Sequence, residues 1–144
     1  PSNTIASTAV YVSSDENYKG CFVFKNKYRQ GVGKLFRSLG EHMQLGILSG
    51  DNDGEKQQLK KILPENTDLL FNQKPENKLE YIKGLQKERN VLMVGDGLND
   101  AGALAQSDVG ISVSEIINVF SPACDAILDD SEISKLPLFI KMSR

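Results

Sequence analysis

Cysteine, histidine and tryptophan are scarce in this sequence. Its 144 residues include two cysteines, one histidine and no tryptophan. Cys21 and Cys124 are about a hundred positions apart and lack the close spacing of zinc and redox sites, which predicts buried, reduced thiols in a reducing compartment. His42 and Met43 could together suggest copper, but an isolated pair beside a strand is more simply one surface residue and one core residue. None of these residues is therefore predicted to bind a metal.

An excess of one charge and a long apolar run are also absent. The formal net charge is −2 and the lysines are scattered, so there is no basic stripe for a nucleic-acid backbone, and nucleic acid is not an expected partner. No apolar run approaches the roughly 20 residues that a membrane-spanning helix needs, and no secretory leader is visible. The chain as given is predicted to be soluble.

The residues that are present suffice for one domain with a hydrophobic core. The chain has 144 residues and 40% hydrophobic content, which predicts a single domain over residues 1–144. It begins at Pro1 without a methionine, and its last residues do not include those typical of a turn that ends a helix. We therefore expect both ends to continue into a larger protein.

Short apolar runs alternate with helical spacings along most of the chain. A hairpin is predicted first, with strands at residues 8–13 and 20–24 around a polar turn. Further strands are predicted at residues 45–48, 68–71, 91–94, 109–113 and 126–128, and helices at 30–39, before Pro64, from Pro75, and at 100–106, 114–120 and 133–142. This alternation predicts an α/β fold, a Rossmann-like and mostly parallel sheet with helices on both faces.

The most informative segment reads VGDGLND, residues 94–100, and it follows an apolar run that is typical of a buried strand. Open α/β sheets bind ligands at the carboxyl ends of their strands, which is where Asp96, Asn99 and Asp100 would lie. Carboxylate and amide oxygens suit Mg²⁺ holding a phosphoryl group. A solvated turn is the alternative, because glycine, asparagine and aspartate are common turn residues.

Two earlier strand ends carry groups that suit the same phosphate. Residues 49–52 read SGDN, and Ser49 and Gly50 offer a hydroxyl and backbone N–H groups at a helix start, although simple N-capping would explain them equally well. Lys78 lies one turn into the helix that Pro75 opens, so its ammonium could reach a phosphoryl oxygen, whereas a lone lysine there is usually solvated. The order of hydroxyl loop, lysine and paired aspartates favours a phosphate site.

Residues 93–111 read MVGDGLNDAGALAQSDVGI, which resembles the hinge motif of P-type ATPases in the haloacid dehalogenase-like hydrolase superfamily. The order of SGDN, Lys78 and the paired aspartates is similar to the second, third and fourth motifs of that superfamily. SGDN itself resembles the TGDN of P-type ATPases, and residues 113–128 resemble the heavy-metal branch, copper-type pumps in particular. The resemblance covers residues 20–144 and implies a haloacid dehalogenase-like fold.

For the phosphate, the resemblance implies binding residues from three loops: Ser49, Gly50, Asp51, Lys78 and Asn99. Ser49 and the Gly50 backbone would bind the transferred phosphoryl group, and Asp51 would shape this cradle. Lys78 would neutralise the phosphoryl oxygens, and Asn99 would hydrogen-bond to them.

For the chemistry, the resemblance implies catalytic roles for Lys78, Asp96 and Asp100, with Mg²⁺ as cofactor and ATP as substrate of the complete protein. Asp96 would ligate the Mg²⁺. Asp100 would hold both Lys78 and the metal shell in place, which makes it the second residue of the implied metal site.

One family motif is missing. P-type ATPases form an aspartyl phosphate on the first residue of DKTGT, and this string is absent from the sequence. The resemblance therefore implies a partial phosphorylation domain, with residues 1–19 as the tail of a preceding nucleotide-binding domain and with the first-motif strand absent from the sheet. Strand edges would be exposed where that strand normally lies.

The complete protein implied by this resemblance is an ATP-driven pump for a cation, a heavy metal such as copper. Its partners would be the remaining phosphorylation-domain segment with the acceptor aspartate, nucleotide-binding and actuator domains, membrane helices and the transported cation. This chain would then be a cytoplasmic domain of an integral membrane protein. Two alternatives stay open: a soluble phosphatase of the same superfamily, and a non-catalytic phosphate- or nucleotide-binding module that regulates a partner.

Overall fold

The computed structural model describes residues 8–24, 28, 31–96, 98–115 and 123–143. Its first element is the predicted antiparallel hairpin, formed by β1 (Thr8–Ser14) and β2 (Asn17–Phe24). Asp15 and Glu16 turn the chain with φ angles of 50° and 63°, the left-handed conformation that a tight two-residue hairpin turn needs at both central positions. The hairpin prediction is confirmed, with strands slightly longer than expected. Cys21 lies on β2 and is exposed, so the prediction that this thiol is buried is wrong.

The rest of the chain alternates strands and helices as predicted. The strands are β3 (Gly46–Leu48), β4 (Asp68–Leu70), β5 (Leu92–Gly95), β6 (Val109–Ser114) and β7 (Ala126–Asp129), and the helices are α1 (Val32–Gly40), α2 (Lys56–Ile62), α3 (Pro75–Leu85), α4 (Ala101–Gln106) and α5 (Leu136–Met142). Short 3-10 turns at Asp53–Glu55 and Asp130–Lys135 precede α2 and α5. Among these described helices, none has the length and apolar character that crossing a membrane requires.

The helix predicted over residues 114–120 is not found where it was expected to begin. Ser114 is the last residue of β6 because its pairing with β7 continues to Asp129, so a tertiary contact extends the strand beyond its apolar run. Residues 116–120 lie outside the described residues.

The described strands after the hairpin pair only in parallel. β3 pairs with β4, and β6 pairs with both β5 and β7, which gives one two-stranded and one three-stranded sheet. The predicted α/β fold with mostly parallel strands is confirmed. Parallel neighbours end at the same edge of a sheet, so the loops after these strands gather there.

Helices cover both faces of these sheets. Met93 and Val94 are neighbours on β5, and successive side chains on a strand point to opposite faces. Met93 packs with α3 and α4 in a cluster that contains the fully buried Leu104. Val94 packs in a second cluster with α1 and α5, which contribute Leu35 and Leu136. The two clusters form the core and hold the strand ends in place.

β3 and the residue before it pack in the same two clusters as β5, although no backbone ladder joins the two strands. Leu48 of β3 packs against the cluster of α3 and α4, and Leu45, just before β3, packs against the cluster of α1 and α5. Within the described part of the chain, β3 pairs only with β4 and β5 only with β6. Each therefore keeps one edge without a strand partner, as expected if the first-motif strand is missing.

Candidate functional site

A cavity of about 400 Å³ opens at the carboxyl ends of β3, β4 and β5. Its walls come from the loops after these strands and from the start of α3: Gly50, Asp51, Gln73, Pro75, Lys78, Asp96 and Asn99. These residues are distant in sequence, and the parallel strands bring them together. The cavity is where the residues predicted from the sequence can act on one ligand.

The first wall is the cradle loop, defined here as residues 49–55, which follows β3. Three backbone hydrogen bonds join it to the segment after β4 and extend the β3–β4 ladder. The Ser49 N–H donates to the Leu70 carbonyl oxygen (2.9 Å), the Asn72 N–H to the Asp51 carbonyl oxygen (2.8 Å) and the Gln73 N–H to the Ser49 carbonyl oxygen (2.9 Å). Asn72 adopts a φ of 56°, which asparagine tolerates better than most residues. The near end of the cradle loop is therefore fixed by main-chain contacts.

Side chains complete the cradle loop. The Asp51 N–H donates to Ser49 Oγ over 3.1 Å, so the serine oxygen is engaged within the loop, and Ser49 is not among the residues that line the cavity. The Gly54 N–H donates to Asn52 Oδ1 over 3.0 Å. Asn52 thereby caps the 3-10 turn Asp53–Glu55 that precedes α2.

The second wall contains Lys78, one turn into α3. Pro75 begins this helix, where its missing N–H costs no hydrogen bond. Lys78 Nζ lies 2.6 Å from Asp100 Oδ1, and the two side chains are only 10% and 12% exposed. A charge-assisted hydrogen bond of this length fixes the ammonium at the cavity wall. The solvated lysine that was the simpler alternative is excluded by this burial.

Asp96 and Asn99 form the third wall, in the loop between β5 and α4. Both are exposed, and the hydrogen bond to Asp96 Oδ1 from the Leu98 N–H is long, at 3.3 Å, so this carboxylate is available to a ligand. A Cβ atom at Gly95 would lie 2.5 Å from Asp100 Oδ2, which explains why glycine ends β5 where Asp100 approaches it. Gly97 lies outside the described residues.

The structure brings five of the predicted site residues to one cavity: Gly50, Asp51, Lys78, Asp96 and Asn99. Asp100 lies behind Lys78 and contacts it, and Ser49 contacts Asp51 within the cradle loop. Their proximity is an observation. Their roles in phosphate binding and Mg²⁺ ligation stay predictions from the resemblance.

Sequence reasoning missed two residues near the cavity, Gln73 and Tyr28. Gln73 lines it, and its Nε2 atom donates to the Phe71 carbonyl oxygen over 2.8 Å. Its place in the loop after β4 was the available signal, because loops at this sheet edge carry ligand-binding groups. Tyr28 donates a hydrogen bond to Glu55 in the cradle loop, 27 positions away, and no local pattern signals so distant a contact.

The chemistry of these side chains suits a divalent cation together with a phosphate. Asp51 and Asp96 carry carboxylates, while Asp100 balances the charge of Lys78, so phosphate alone would meet an excess of negative charge. Carboxylate oxygens are ligands that Mg²⁺ accepts, and Mg²⁺ keeps several waters or phosphate oxygens in its shell. Across the described ranges, no three His, Cys, Asp or Glu side chains lie close enough to hold a metal ion. Mg²⁺ would therefore take its remaining ligands from phosphate, water or another segment.

Comparison with known proteins gives this cavity a family context. The sequence matches the pattern of haloacid dehalogenase-like hydrolases over residues 3–108, most of its length. The chain belongs to the haloacid dehalogenase-like hydrolase family.

Curated relatives of this hydrolase-family chain are heavy-metal ATPases. It is 33% identical to a probable cadmium-transporting ATPase of Staphylococcus aureus and 30% identical to a zinc-transporting ATPase of Bacillus subtilis, each over 95% of its length. A copper-exporting P-type ATPase of Staphylococcus saprophyticus is 28% identical over the same share. The chain spans 19%, 22% and 17% of these three relatives. The resemblance to heavy-metal P-type ATPases is confirmed at this level of similarity.

Solved structures agree with the family assignment. A catalytic CPx-ATPase domain, CopB-B, is 30% identical, with a TM-score of 0.66 over 88% of this chain and 49% of that chain. A zinc-transporting PIB-type ATPase is 23% identical, with a TM-score of 0.76 over 97% of this chain and 23% of that chain. An octulosonate 8-phosphate phosphatase from Moraxella catarrhalis, 19% identical, has a TM-score of 0.61 over 94% of this chain and 85% of that chain. At these lower identities the likeness shows the fold alone.

Proposed function

We propose that this chain is the phosphate- and Mg²⁺-binding part of the phosphorylation domain of an ATP-driven heavy-metal pump. The observation that carries the proposal is the cavity at the sheet edge, where Lys78, Asp96 and Asn99 meet the cradle loop. Similarity to cadmium-, zinc- and copper-transporting ATPases over 95% of the chain supports it. The complete protein would hydrolyse ATP and include membrane helices, and this chain would lie on the cytoplasmic side of the membrane.

In this function the residues of the chain bind and orient a phosphoryl group. The Ser49 oxygen accepts from the Asp51 N–H, which leaves its own hydrogen to donate to a phosphoryl oxygen. Lys78 has three N–H donors, of which Asp100 takes one, so the others can neutralise phosphoryl oxygens. Bound Mg²⁺ would supply the remaining charge neutralisation, with Asp96 as its ligand from this chain. The site would therefore act by positioning the phosphoryl group and by neutralising its charge.

The acceptor of the phosphoryl group would come from a segment outside this sequence. β3 and β5 share core clusters on both faces, yet each keeps one edge without a partner among the described strands. A parallel strand between them would end beside Lys78 and Asp96, at the edge where the cavity lies. The first-motif strand, with its acceptor aspartate, fits this place.

The hairpin supports a further partner within the complete protein. Val10 lies opposite Phe22 in the pairing, and Val12 and Phe24 share their face because residues two apart on a strand point the same way. All four are at least 39% exposed. A two-stranded hairpin is marginally stable alone in water, so we assign this apolar face to contact with a nucleotide-binding domain, of which residues 1–19 would be the tail.

Phosphate binding by the purified chain should require Mg²⁺. In calorimetric titrations with inorganic phosphate, we expect binding with Mg²⁺ and little without it, because the carboxylates repel phosphate alone. Asp96→Asn should weaken Mg²⁺-dependent binding by at least about tenfold, since even second-shell changes at metal sites cost that much. Asp15→Asn makes the same substitution in the exposed turn of the hairpin, away from the cavity, and should leave binding unchanged. Equal affinity with and without Mg²⁺, or full affinity in Asp96→Asn, would count against the proposal.

The chain alone should neither hydrolyse ATP nor acquire acid-stable phosphate. The DKTGT motif is absent from its sequence, so covalent transfer has no acceptor here. The measurement is incubation with radiolabelled ATP and Mg²⁺, followed by acid precipitation. Retained label in the purified chain would show that another side chain accepts the phosphoryl group. It would contradict the proposal that the acceptor lies in a segment outside this sequence.

A further inference from the structure

Tyr28 connects two parts of the chain that are far apart in sequence. Its hydroxyl donates a hydrogen bond to Glu55, the last residue of the cradle loop, and both residues are half-buried. Tyr28 lies between the end of β2 and the start of α1. The hydrogen bond therefore joins the connection that follows the hairpin to the cradle loop, whose Gly50 and Asp51 line the cavity.

The surroundings of Tyr28 keep its hydroxyl protonated. Burial and the hydrogen bond to Glu55 raise the pKa of Tyr28 to about 12, and the negative charges of Glu55 and Asp51 act in the same direction. Any tyrosine hydroxyl is protonated at neutral pH, and the raised pKa of Tyr28 keeps this one a donor into the alkaline range. The cradle loop carries three acids within five residues, Asp51, Asp53 and Glu55, which repel one another. A neutral donor to one of them favours a single arrangement of the loop.

We propose that Tyr28 is a positioning residue: by holding Glu55, it keeps the cradle loop in the conformation that presents Gly50 and Asp51 to a phosphoryl group. Glu55 ends the 3-10 turn and is the N-cap residue of α2, so fixing it fixes the far end of the loop. The near end is already held by the backbone bonds that follow β3. A loop held at both ends loses less conformational entropy when a ligand binds. The identity of that ligand rests on the proposed function.

Tyr28→Phe tests this inference because it removes only the hydroxyl. Phosphate affinity in the presence of Mg²⁺ should fall about three- to tenfold, the effect of losing one hydrogen bond. Amide hydrogen exchange should become faster at Gly54, whose N–H group is bonded within the cradle loop near Glu55, and stay unchanged at Met93 in the core. Tyr81→Phe is the matched control: burial and the nearby Asp68 raise the pKa of that tyrosine too, but it lies on α3 outside the cavity wall.

Substitutions at Glu55 test the pair itself. Glu55→Gln keeps an oxygen that accepts from Tyr28 and should bind phosphate nearly as well as the unchanged chain. Glu55→Ala should weaken binding at least as much as Tyr28→Phe does, because Glu55 also takes part in a further interaction. Adding Tyr28→Phe to Glu55→Ala should cause little further loss, because the contact between the two side chains is already removed. Additive losses in the double variant would overturn the pairing.

The outcomes separate this inference from the proposed function. If the unchanged chain binds phosphate with Mg²⁺ and Tyr28→Phe binds equally well, the inference fails while the proposed function stands. If the unchanged chain does not bind phosphate, the proposed function fails, and hydrogen exchange decides the positioning role alone. Faster exchange at Gly54 in Tyr28→Phe, without a change in Tyr81→Phe, would then support that role, and equal exchange rates would overturn it.

Discussion

Replacing Lys78 with methionine should lower the free energy of unfolding by about 3–5 kcal/mol, the usual cost of removing one partner from a buried ion pair. Lys78 Nζ and Asp100 Oδ1 are 2.6 Å apart and about nine-tenths buried. Methionine fills similar volume, but it leaves the Asp100 carboxylate without its counter-charge in a place that water scarcely reaches. Urea unfolding followed by circular dichroism measures the loss, provided that the dependence on urea concentration is unchanged.

Two further variants test whether the loss of stability comes from the buried ion pair. Lys83→Met removes a lysine from the same helix, where Lys83 pairs with Glu80 over 2.8 Å but in an exposed position, so it should cost at most about 1 kcal/mol. Lys78→Met/Asp100→Asn should recover part of the stability, because a buried amide costs less than an unpaired carboxylate. It should still fail to bind phosphate. A Lys78→Met variant as stable as Lys83→Met would show that the buried pair is not what holds these walls together.

The core and the proposed site depend on the same contacts. Asp100 precedes α4, and Lys78 lies on α3, so their ion pair joins the two helices that cover one face of β5. Asp100 is the N-cap residue of α4. Leu104 lies on α4 and is completely buried in the core cluster beneath α3 and α4. The lysine of the proposed phosphate site is therefore held by residues whose packing also stabilises the fold, and a site on rigid elements is more accurately placed than one on loops.

The parts of the fold that sequence reasoning predicted are those with a local physical cause. β3 and β5 are short apolar runs because helices cover both of their faces, and such runs are readable without a structure. Pro75 marks the first turn of α3 for an equally local reason. The prediction of a helix from Ser114 is wrong for a non-local reason. Ser114 belongs to a strand because it pairs with Asp129, 15 positions away, and the local sequence does not signal this pairing.

The same distinction applies to the candidate site. Asp96 and Asn99 were predicted because they follow an apolar strand, and they line the cavity. The burial of Lys78 had no local signal, because it depends on Asp100, 22 positions away. The family resemblance alone implied the contact between the two. Tyr28 could not be found either, since its partner Glu55 is brought near only by the complete fold. Signals within one loop were readable from the residues, whereas contacts between loops required the family resemblance or the structure.

Replacing Gly110 with alanine should destabilise the chain by about 3 kcal/mol, at the upper end of what an overpacked core costs. A Cβ atom at this position would lie 2.5 Å from the carbonyl oxygen and 3.0 Å from the carbonyl carbon of Leu104. These are backbone atoms of a fully buried residue, so no side chain can rotate to make room. β6 cannot move away easily, because Gly110 exchanges two hydrogen bonds with Asp125, of 2.7 and 2.8 Å.

Gly102→Ala is the matched control for this prediction. Gly102 lies on α4, the helix that Gly110 contacts, and an added Cβ there meets nothing within 4 Å. Alanine is the better helix former by up to about 1 kcal/mol, so Gly102→Ala should leave the chain as stable or slightly more stable. Thermal unfolding of the two variants side by side measures the difference. Equal melting temperatures would mean that α4 and β6 are not packed as closely as the structure has them, and the placement of Asp100 at the start of α4 would then lose its support.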